Sequence, residues 1–572
     1  MYLRLILFSL LPLLLLGQTH KSLYCHCDGA FSPKDLYDAL ALKQPAWYAF
    51  WEEKQPKVNV KLIPTLQSSL INFYKSNGYY HAQIDKKEDN QSVHFTIKKG
   101  APIMIELVDN TLSAPYKELV SLKKGDIFHA STFIDIKKNI KKKIQEEGYC
   151  NALLDTKARI DIEKNIAFLH YNLQTNPRCR FGKITIHAPK NINKDVITSR
   201  LYFRENSPYS SQLIKESYST IAGLEAFDGV QIIPQQKDDF IDVDIQLKEK
   251  QKRIRQEIGI GYETNLGLKG IFRWEERNFK GNARMLSFDL KYAQKEKYLK
   301  TGYFSPAFIK IPWKDTYYLD LNNEFLYSKY IFENFNEDKI ANYLHLLKDY
   351  HRFSIDVGLG IEQIKIARTG DNTHIKTGNY LLFFPFIQGI IDSRDSKINP
   401  RNGLYASVYL ERGLKLFKSS TNYSKFTAEV RLIKTLKHYT FAAKAKLGLI
   451  AEFLNTLPES KRFFAGGAFS NRAYGFNRLG ATDSAHDETG ARTLVDTAME
   501  VSHPLYKQIE GALFYDATMI SEKRFHFNID FVHALGLGLR YITPIGPIKI
   551  DFGMNIEHKE DYALHFQIGQ SF

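Results

Sequence analysis

Two hydrophobic rhythms divide the chain. Up to about residue 250, apolar positions recur at helical spacing and then at strand spacing; beyond it they alternate singly. Residues 62–84 predict an amphipathic helix, stopped by Asn77-Gly78 and followed by a short strand. Residues 133–154 repeat that order, with Gly148 as the stop, Tyr149 after it and a strand beyond. Alternating strands close the two units at 93–97 and 166–171. A third unit opens with a strand at 181–186, carries a helix near 210–224 and closes with a strand at 241–247. The repeat therefore sets the organisation of this half. A small sheet backed by helices leaves a strand edge that can accept an extended segment of another chain. The alternative is that the edges are blunted and the modules act as spacers.

After Lys250 the pattern is that of a membrane strand, with apolar residues on one parity and small or polar ones on the other. Phe353, Ile355, Val357, Leu359 and Ile361 interleave with Ser354, Asp356, Gly358 and Gly360. Ile548, Ile550, Phe552, Met554 and Ile556 interleave with Lys549, Asp551, Gly553 and Asn555. The runs number about sixteen, an even count as bacterial barrels require. Alternation is poorest over 331–350, where one strand is assigned partly by arithmetic. The expected fold is thus a set of α+β modules followed by a transmembrane antiparallel β-barrel of about 16 strands. In hydrocarbon the first and last strands must meet, since an open edge leaves backbone groups unsatisfied.

Length and composition add an address. A chain of 572 residues is too long for one ordinary domain. Residues 3–16 form an apolar run behind Arg4, which fits a secretory signal and is too short to span a bilayer; an uncleaved anchor is the alternative. The division read from the sequence is 1–21 leader, 22–100, 101–177 and 178–250 modules, and 251–572 barrel. Ser22-Leu23-Tyr24 before Cys25 lacks the small residue of a lipoprotein signal. Cys25, Cys27, Cys150 and Cys179 sit where export permits disulfides, but their spacing fixes no pairing; Cys25-His26-Cys27 reads as a disulfide or a surface thiol rather than a metal site. The net charge is +15, with Lys137, Lys138, Lys141, Lys142 and Lys143 on one helix, a solvated face or a contact for anionic headgroups or an acidic partner. No recognition motif supports nucleic-acid binding. No nucleophile elbow, phosphate loop or zinc helix is present, so neither an enzyme nor a cofactor or metal is expected.

The long connection at 454–492 gathers Phe463, Phe464, Phe469, Tyr474 and Phe476 around Arg472, with Gly466, Gly467 and Gly475 supplying backbone freedom. It suits a loop folded into a cavity; the alternative is an aromatic cover over hydrophobic surface. The segments 462–467 and 471–476, RFFAGG and NRAYGF, resemble the inward-folded sixth loop of the outer-membrane assembly superfamily that includes BamA and TamA. That superfamily's hallmark is an Arg-Gly-aromatic tripeptide, here Arg472-Ala473-Tyr474. The terminal Phe572 and the stretch Ile391-Asp392-Ser393-Arg394-Asp395, with Asn399, Pro400 and Gly403, also resemble superfamily signatures, although turn chemistry alone explains the latter three. The repeated units resemble POTRA domains, and their number resembles the TamA type.

The resemblance implies a factor that helps insert outer-membrane proteins such as autotransporters. By the same resemblance it implies a TamB-like, inner-membrane-anchored periplasmic partner, unfolded outer-membrane protein clients and contact with membrane lipids. Phospholipid transport and a secretion pore are the alternatives. It further implies a loop latch of Arg472, Tyr474, Gly475 and Phe476 held against Glu500, Phe514 and Asp516. Parity agrees, since Val495, Met499 and Val501 face lipid and so turn Asp496 and Glu500 inward. Glycines within strands weaken pairing, so Gly259 and Gly261 in the first strand, with Gly569 and Phe572 in the last, mark a candidate lateral gate; relief of crowding in a curved sheet is the alternative.

Overall fold

The computed structural model describes residues 20–26, 29–42, 55–263, 266–311, 317–332, 334–369, 375–454, 457–480, 490–527, 530–543 and 546–568. The predicted leader and Cys27 lie outside them, as do Gly569 and Phe572. Two compact units divide the chain. One holds residues up to 184 with 203–213 and 234–243, and the other holds 185–202, 214–233 and 244–572.

The first module runs β1 (His20–His26), α1 (Pro33–Ala39), β2 (Lys57–Asn59), α2 (Ile63–Ser76), β3 (Gln83–Glu88) and β4 (Ser92–Lys98), with sheet order β2-β1-β4-β3. His20 and Lys21, which fall within the 1–21 span read as leader, pair in β1 with Asn59 and Val58. One face of α2 buries Leu70 and Tyr74 against Leu23, Val93 and Phe95 of the sheet. Cys25 belongs to that core, so it is not the surface thiol the sequence suggested. The β3–β4 turn is tied by Asp89, whose carboxyl is held down to about 2 by hydrogen bonds from the Ser92 hydroxyl and the amides of Gln91 and Ser92.

The second module runs β5 (Met104–Asn110), α3 (Ala114–Lys117), α4 (Ala130–Glu146), β6 (Leu153–Asp161) and β7 (Ile166–Gln174), with sheet order β5-β7-β6. Ile136, Ile140 and Ile144 form the buried stripe of α4, and Lys137, Lys138, Lys141 and Lys142 lie exposed on its other side. The repeated glycine ends both long helices in the left-handed region, at φ +91° for Gly78 and +89° for Gly148. The third unit comprises β8 (Arg180–His187), α5 (Lys194–Thr198), α6 (Ser211–Ala222), β9 (Phe227–Lys237) and β10 (Phe240–Glu249), with sheet order β8-β10-β9. A disulfide joins Cys150, just after α4, to Cys179, just before β8, with Cα atoms 6.0 Å apart. Sequence spacing had left that pairing open.

Sixteen strands follow in one sheet whose order is the order of the chain. They are β11 (Ile254–Glu263), β12 (Gly267–Arg277), β13 (Met285–Ala293), β14 (Glu296–Lys310), β15 (Tyr318–Ile331), β16 (Phe335–Tyr350), β17 (Phe353–Arg368) and β18 (Gly378–Asp392). Then come β19 (Asn402–Gly413), β20 (Asn422–Leu436), β21 (Tyr439–Leu454), β22 (Thr493–Tyr506), β23 (Ile509–Ser521), β24 (Val532–Thr543), β25 (Gly546–Asn555) and β26 (Tyr562–Ile568). Neighbours pair antiparallel, for example Tyr343↔Gly360 and Gly536↔Gly553. Leu535, Leu537, Leu539 and Tyr541 of β24 point outward and exposed, while Ala534 and Arg540 point inward and buried. An exposed apolar outside around a polar inside is the inverse of a soluble sandwich and matches a bilayer as surroundings.

In the weak stretch 331–350, residues 335–350 form the strand β16. Its pattern is blurred because the outward Asn342 is matched by Asn323 of β15, 3.1 Å away across the strands, while the inward face carries Ala341 and Leu347. The turn 393–401 folds on itself. Arg394 grips Asp392 at 2.9 and 2.8 Å, and Asp395 accepts from the amides of Arg401 and Asn402. At Gly403, with φ +132°, a Cβ would strike Arg394 Cα and Ser393 O. Turn chemistry thus accounts for this motif.

Within the second unit, residues 191–202 lie against one end of the barrel. Arg200 donates to Asp320 at 2.7 Å, and Asp320 also accepts from the Ala307 amide at the β14 bulge. Asn193 N donates to Asn282 Oδ1 at 2.8 Å, and Tyr202 stacks on His351 with ring centroids 4.2 Å apart. The hairpin turns on this side therefore mark the end from which the chain enters the barrel.

Gly125 and Gly148 share φ +89°, but a Cβ meets nothing within 4 Å at Gly125 and collides with the Tyr209 carbonyl oxygen at Gly148. Gly125→Ala is expected to cost about 1 kcal/mol from strain alone, and Gly148→Ala about 2–3 kcal/mol. Hydrogen exchange of the α4 amides in the two variants checks the difference.

Candidate functional site

The connection between β21 and β22 opens at the end of the barrel opposite Asn193 and Tyr202, yet it turns back inside. Two isolated bridges shape it, Phe463↔Ala491 and Ala465↔Leu479. Gly466 and Gly467 take φ +92° and +102°, and a Cβ on Gly466 would press on the Gly475 carbonyl oxygen. Gly475 itself is not among the positive-φ residues, so the freedom the sequence assigned to it resides in the glycine pair.

Arg472, 4% exposed, sits where the loop meets the inner wall. Its Nε and Nη2 donate to the two oxygens of Asp516 at 2.9 and 2.7 Å, and its own amide donates to Asp516 at 3.0 Å. Nη1 donates to Glu500 at 2.7 Å. The guanidinium carbon lies 3.4 Å from the centre of the Phe514 ring. These are the three wall positions named from the sequence, and β22 and β23 bring them together because Glu500 pairs with Phe514 in register.

The cage extends past them. Arg540 of β24 donates to both oxygens of Glu500 at 3.1 Å and pairs with Asp551 of β25. Lys444 of β21 pairs with Asp496 at 2.9 Å. With Lys549, four cations face four carboxylates, and burial of such charges is tolerated only when they are matched and hydrogen-bonded. The same inward parity on β24 and β25 turns Arg540, Lys549 and Asp551 inward, and strand register then sets them beside Glu500. The wall is also notched for the loop. A Cβ on Gly553 would strike the Arg472 carbonyl oxygen, one on Gly536 the Phe514 ring, and one on Gly538 the Asp551–Arg540 pair. In sequence these glycines are indistinguishable from the small residues of any alternating strand.

The loop also holds the final hairpin. Tyr474 donates to Asp561 at 2.8 Å and accepts from Asn555 at 2.7 Å, while Arg472 O lies 3.1 Å from Nε2 of His565 in β26. Ala473 is buried at the position where the hallmark has glycine and is not among the positive-φ residues, so its methyl imposes no strain there. Phe476 is 42% exposed, and its contact is with the Tyr330 ring at 6.4 Å, so it stands apart from the cage.

A second anchor went unseen in the sequence. Lys461, in the 3-10 turn Glu459–Lys461, reaches Glu362 of β17 and Glu411 of β19, each at 3.1 Å, and lies 4.5 Å from the Phe384 ring centre. Lys425 donates to the Lys461 carbonyl at 2.8 Å, and Tyr409 and Tyr423 donate to Glu411. The loop is therefore tied at its start to β17–β20 and at its tip to β22–β26. It forms a strut between two stretches of wall.

At the candidate gate, β26 pairs with β25 from Met554↔Tyr562 to Ile548↔Ile568. Among the described residues β11 pairs with β12 and has no register with β26. Ile258 and Ile260 are 81% and 84% exposed. A Cβ at Gly259 would meet nothing nearer than 3.9 Å, so crowding does not require glycine there, whereas one at Gly261 would come within 3.1 Å of Lys269 Cε.

A family model described as the Omp85 superfamily domain matches residues 278–572. The outer membrane protein assembly factor BamA of Nitratidesulfovibrio vulgaris is 19% identical over 580 aligned residues, covering 95% of this chain and 72% of that protein. The BamA of Buchnera aphidicola subsp. Acyrthosiphon pisum is 24% identical over 386 residues, covering 61% of this chain and 60% of that protein. The crystal structure of BamA from Haemophilus ducreyi lacking POTRA domains 1-3 superposes with a TM-score of 0.55 at 16% identity, covering 82% of this chain and 99% of that one. That last likeness is one of fold.

Arg472→Ala leaves Asp516 and Glu500 buried without their partner and is expected to cost about 3–5 kcal/mol, less where lumen water reaches them. Protection of amides 463–480 against exchange should fall accordingly; an equally protected loop contradicts the latch. Lys461→Met is expected to release residues 457–464 while leaving Tyr474 protected, because the two anchors grip different walls.

Proposed function

Because the chain belongs to the Omp85 superfamily, with its barrel in the outer membrane and its POTRA-like modules in the periplasm, we propose that it assists the insertion of other outer-membrane proteins. The observation that carries this reading is the strut. Tyr474 fastens it to Asn555 of β25 and to Asp561 in the turn that follows, and the Arg472 carbonyl to His565 of β26, beside a seam with no described register. A barrel braced from inside can part at its weakest pairing without collapsing, since the remaining fifteen ladders and the ion cage hold the wall.

An opened seam offers two unsatisfied strand edges at membrane depth. An incoming client strand satisfies them by β-augmentation while its apolar side enters lipid. The side of β11 facing away from β12 is the edge offered, and exposed Ile258 and Ile260 give it an apolar flank. The residues assigned to the gate are Gly259 and Gly261, together with Gly569 and Phe572, which lie outside the described residues. The latch assigned to the loop is Arg472 and Tyr474 with Glu500, Phe514 and Asp516; Gly475 and Phe476 support the loop's shape rather than its ion pairs.

Three modules ahead of the barrel favour the TamA type, with a TamB-like periplasmic partner and clients such as autotransporters. The modules divide as 22–100, 101–177 and 178–250, and their sheet edges supply the docking surface for the partner. Conduction through the lumen, the route a lipid conduit or secretion pore would use, is opposed by a loop anchored on two walls.

Cysteines placed at Ile260 and along β26, scanned for the pair that cross-links, are expected to stop client insertion under oxidation and restore it on reduction. Full activity of a demonstrably cross-linked protein would reject lateral opening and favour the lumen. Deleting residues 22–177 should leave a barrel that still inserts but no longer captures the periplasmic partner; capture at full affinity would move docking to the barrel.

A further inference from the structure

Charge is distributed unequally on the two faces of the wall over β13–β17. Inward, three lysines each have a carboxylate. Lys291 pairs with Glu296 at 2.5 Å, Lys300 with Glu324 at 3.4 Å and Lys339 with Glu337 at 3.2 Å. Outward, the register Tyr292↔Lys297↔Lys329↔Asp338↔Lys365 sets three lysines and one carboxylate in a single lateral row. Lys295 in the adjoining hairpin turn adds a fourth cation, and these four lysines with Asp338 and Glu337 border a groove of about 290 Å³, four cations against two carboxylates. Lys297 and Lys329 stand directly opposite each other, a like-charge cross-strand pair that is unfavourable without a counter-ion. Asp338 lies 3.4 Å from Lys329, which leaves Lys297 over the Tyr292 ring at 4.4 Å and Lys365 on the far side of Asp338. The row carries a net excess of positive charge.

The height of the row on the barrel is informative. The next outward row toward the barrel's middle is Leu290↔Leu299↔Tyr327↔Ile340, apolar, with Leu290, Tyr327 and Ile340 exposed and Leu299 half-buried, which is the edge of the lipid-facing band. The row lies by the 293–296 and 331–335 hairpins, opposite the turns that receive Asn193 and Tyr202, and so faces the outer leaflet. Lysines at this level lay their stems on the apolar band and hold their ammonium groups at headgroup depth.

We infer that this groove binds the phosphate-bearing headgroup of an outer-leaflet lipid, with Lys297, Lys329 and Lys365 as its donors and the apolar row beneath them as the seat of the acyl chains. The inference rests on the outer-membrane location and is independent of how clients insert. Adjacent strands are about 4.8 Å apart, so Lys297 and Lys329 can both reach one phosphate, while Lys365, two strands on, can reach a second phosphate of the same headgroup. A bound phosphate adds a counter-charge between Lys297 and Lys329 beyond the one that Asp338 gives Lys329.

The test is native mass spectrometry of the full chain in detergent, with bis-phosphorylated lipid A and its dephosphorylated form as probes. Wild type is expected to hold the phosphorylated probe about tenfold more tightly, K297Q/K329Q/K365Q to lose that preference, and K297R/K329R/K365R to keep it. Equal retention of the two probes by wild type, or an undiminished preference in the glutamine variant, would overturn the site. Displacement of lipid A by millimolar inorganic phosphate would overturn the lipid assignment, because a free anion would then suffice. Should the glutamine variant fail to fold, the wild-type comparison of the two probes and the arginine variant still decide.

Discussion

A guanidinium buried inside a barrel wall is stable only if every charge around it is matched, and Arg472 sets that condition for much of the second unit. Its three bonds to Asp516 and one to Glu500 fix the tip of a long loop against β22 and β23. Those carboxylates in turn need Arg540, and Arg540 needs Asp551. The chain of pairing runs across four adjacent strands. The bilayer is the reason such a site exists here. Every strand edge must close in hydrocarbon, so the apolar side chains go outward and the polar ones are confined to the inside, where the burial of Arg472, Glu500, Asp516, Arg540 and Asp551 strengthens their attraction and raises the penalty for a missing partner.

The second anchor gives the cage mechanical meaning. Lys461 holds the start of the loop to Glu362 and Glu411, so the loop bears on two stretches of wall. Tyr474 and the Arg472 carbonyl then reach β26 and the hairpin before it, the very elements that border the seam. The position of the last strand thus depends on a loop held by ion pairs elsewhere in the lumen. The groove at the outer rim belongs to the same wall but to a different surface, where the lipid rather than the loop supplies the counter-charge.

Much of this was legible before any coordinates. Single alternation fixes which side chains face lipid and so turns Asp496 and Glu500 inward, the resemblance to the superfamily's sixth loop names Phe514 and Asp516 beside Glu500, and the helix-glycine-tyrosine repeat predicts α2 and α4 with their stops. What the pattern conceals is lateral position. Parity says that Arg540 and Asp551 face inward but not that strand register sets them beside Glu500. Lys461 is one lysine among many in a basic chain until β17 and β19 are seen to meet it. Gly536, Gly538 and Gly553 look like the small residues any such strand carries; that they are notches for an aromatic ring, an ion pair and the loop backbone is a fact of register. The strand β16 was obscured for a simpler reason, an outward asparagine that finds its partner one strand away.

The most direct test of the account is a double-mutant cycle between Arg472 and Asp516, using Arg472→Met, Asp516→Asn and the pair in reconstituted bilayers, read as the exchange protection of amides 463–480 and the stability of the β22–β23 ladder. The account predicts strong coupling, with the double variant losing little more than either single one, because each single change already leaves a buried charge unmatched. Losses that simply add would mean that the arginine and the aspartate act independently, and the strut would then have to be held by something other than the cage.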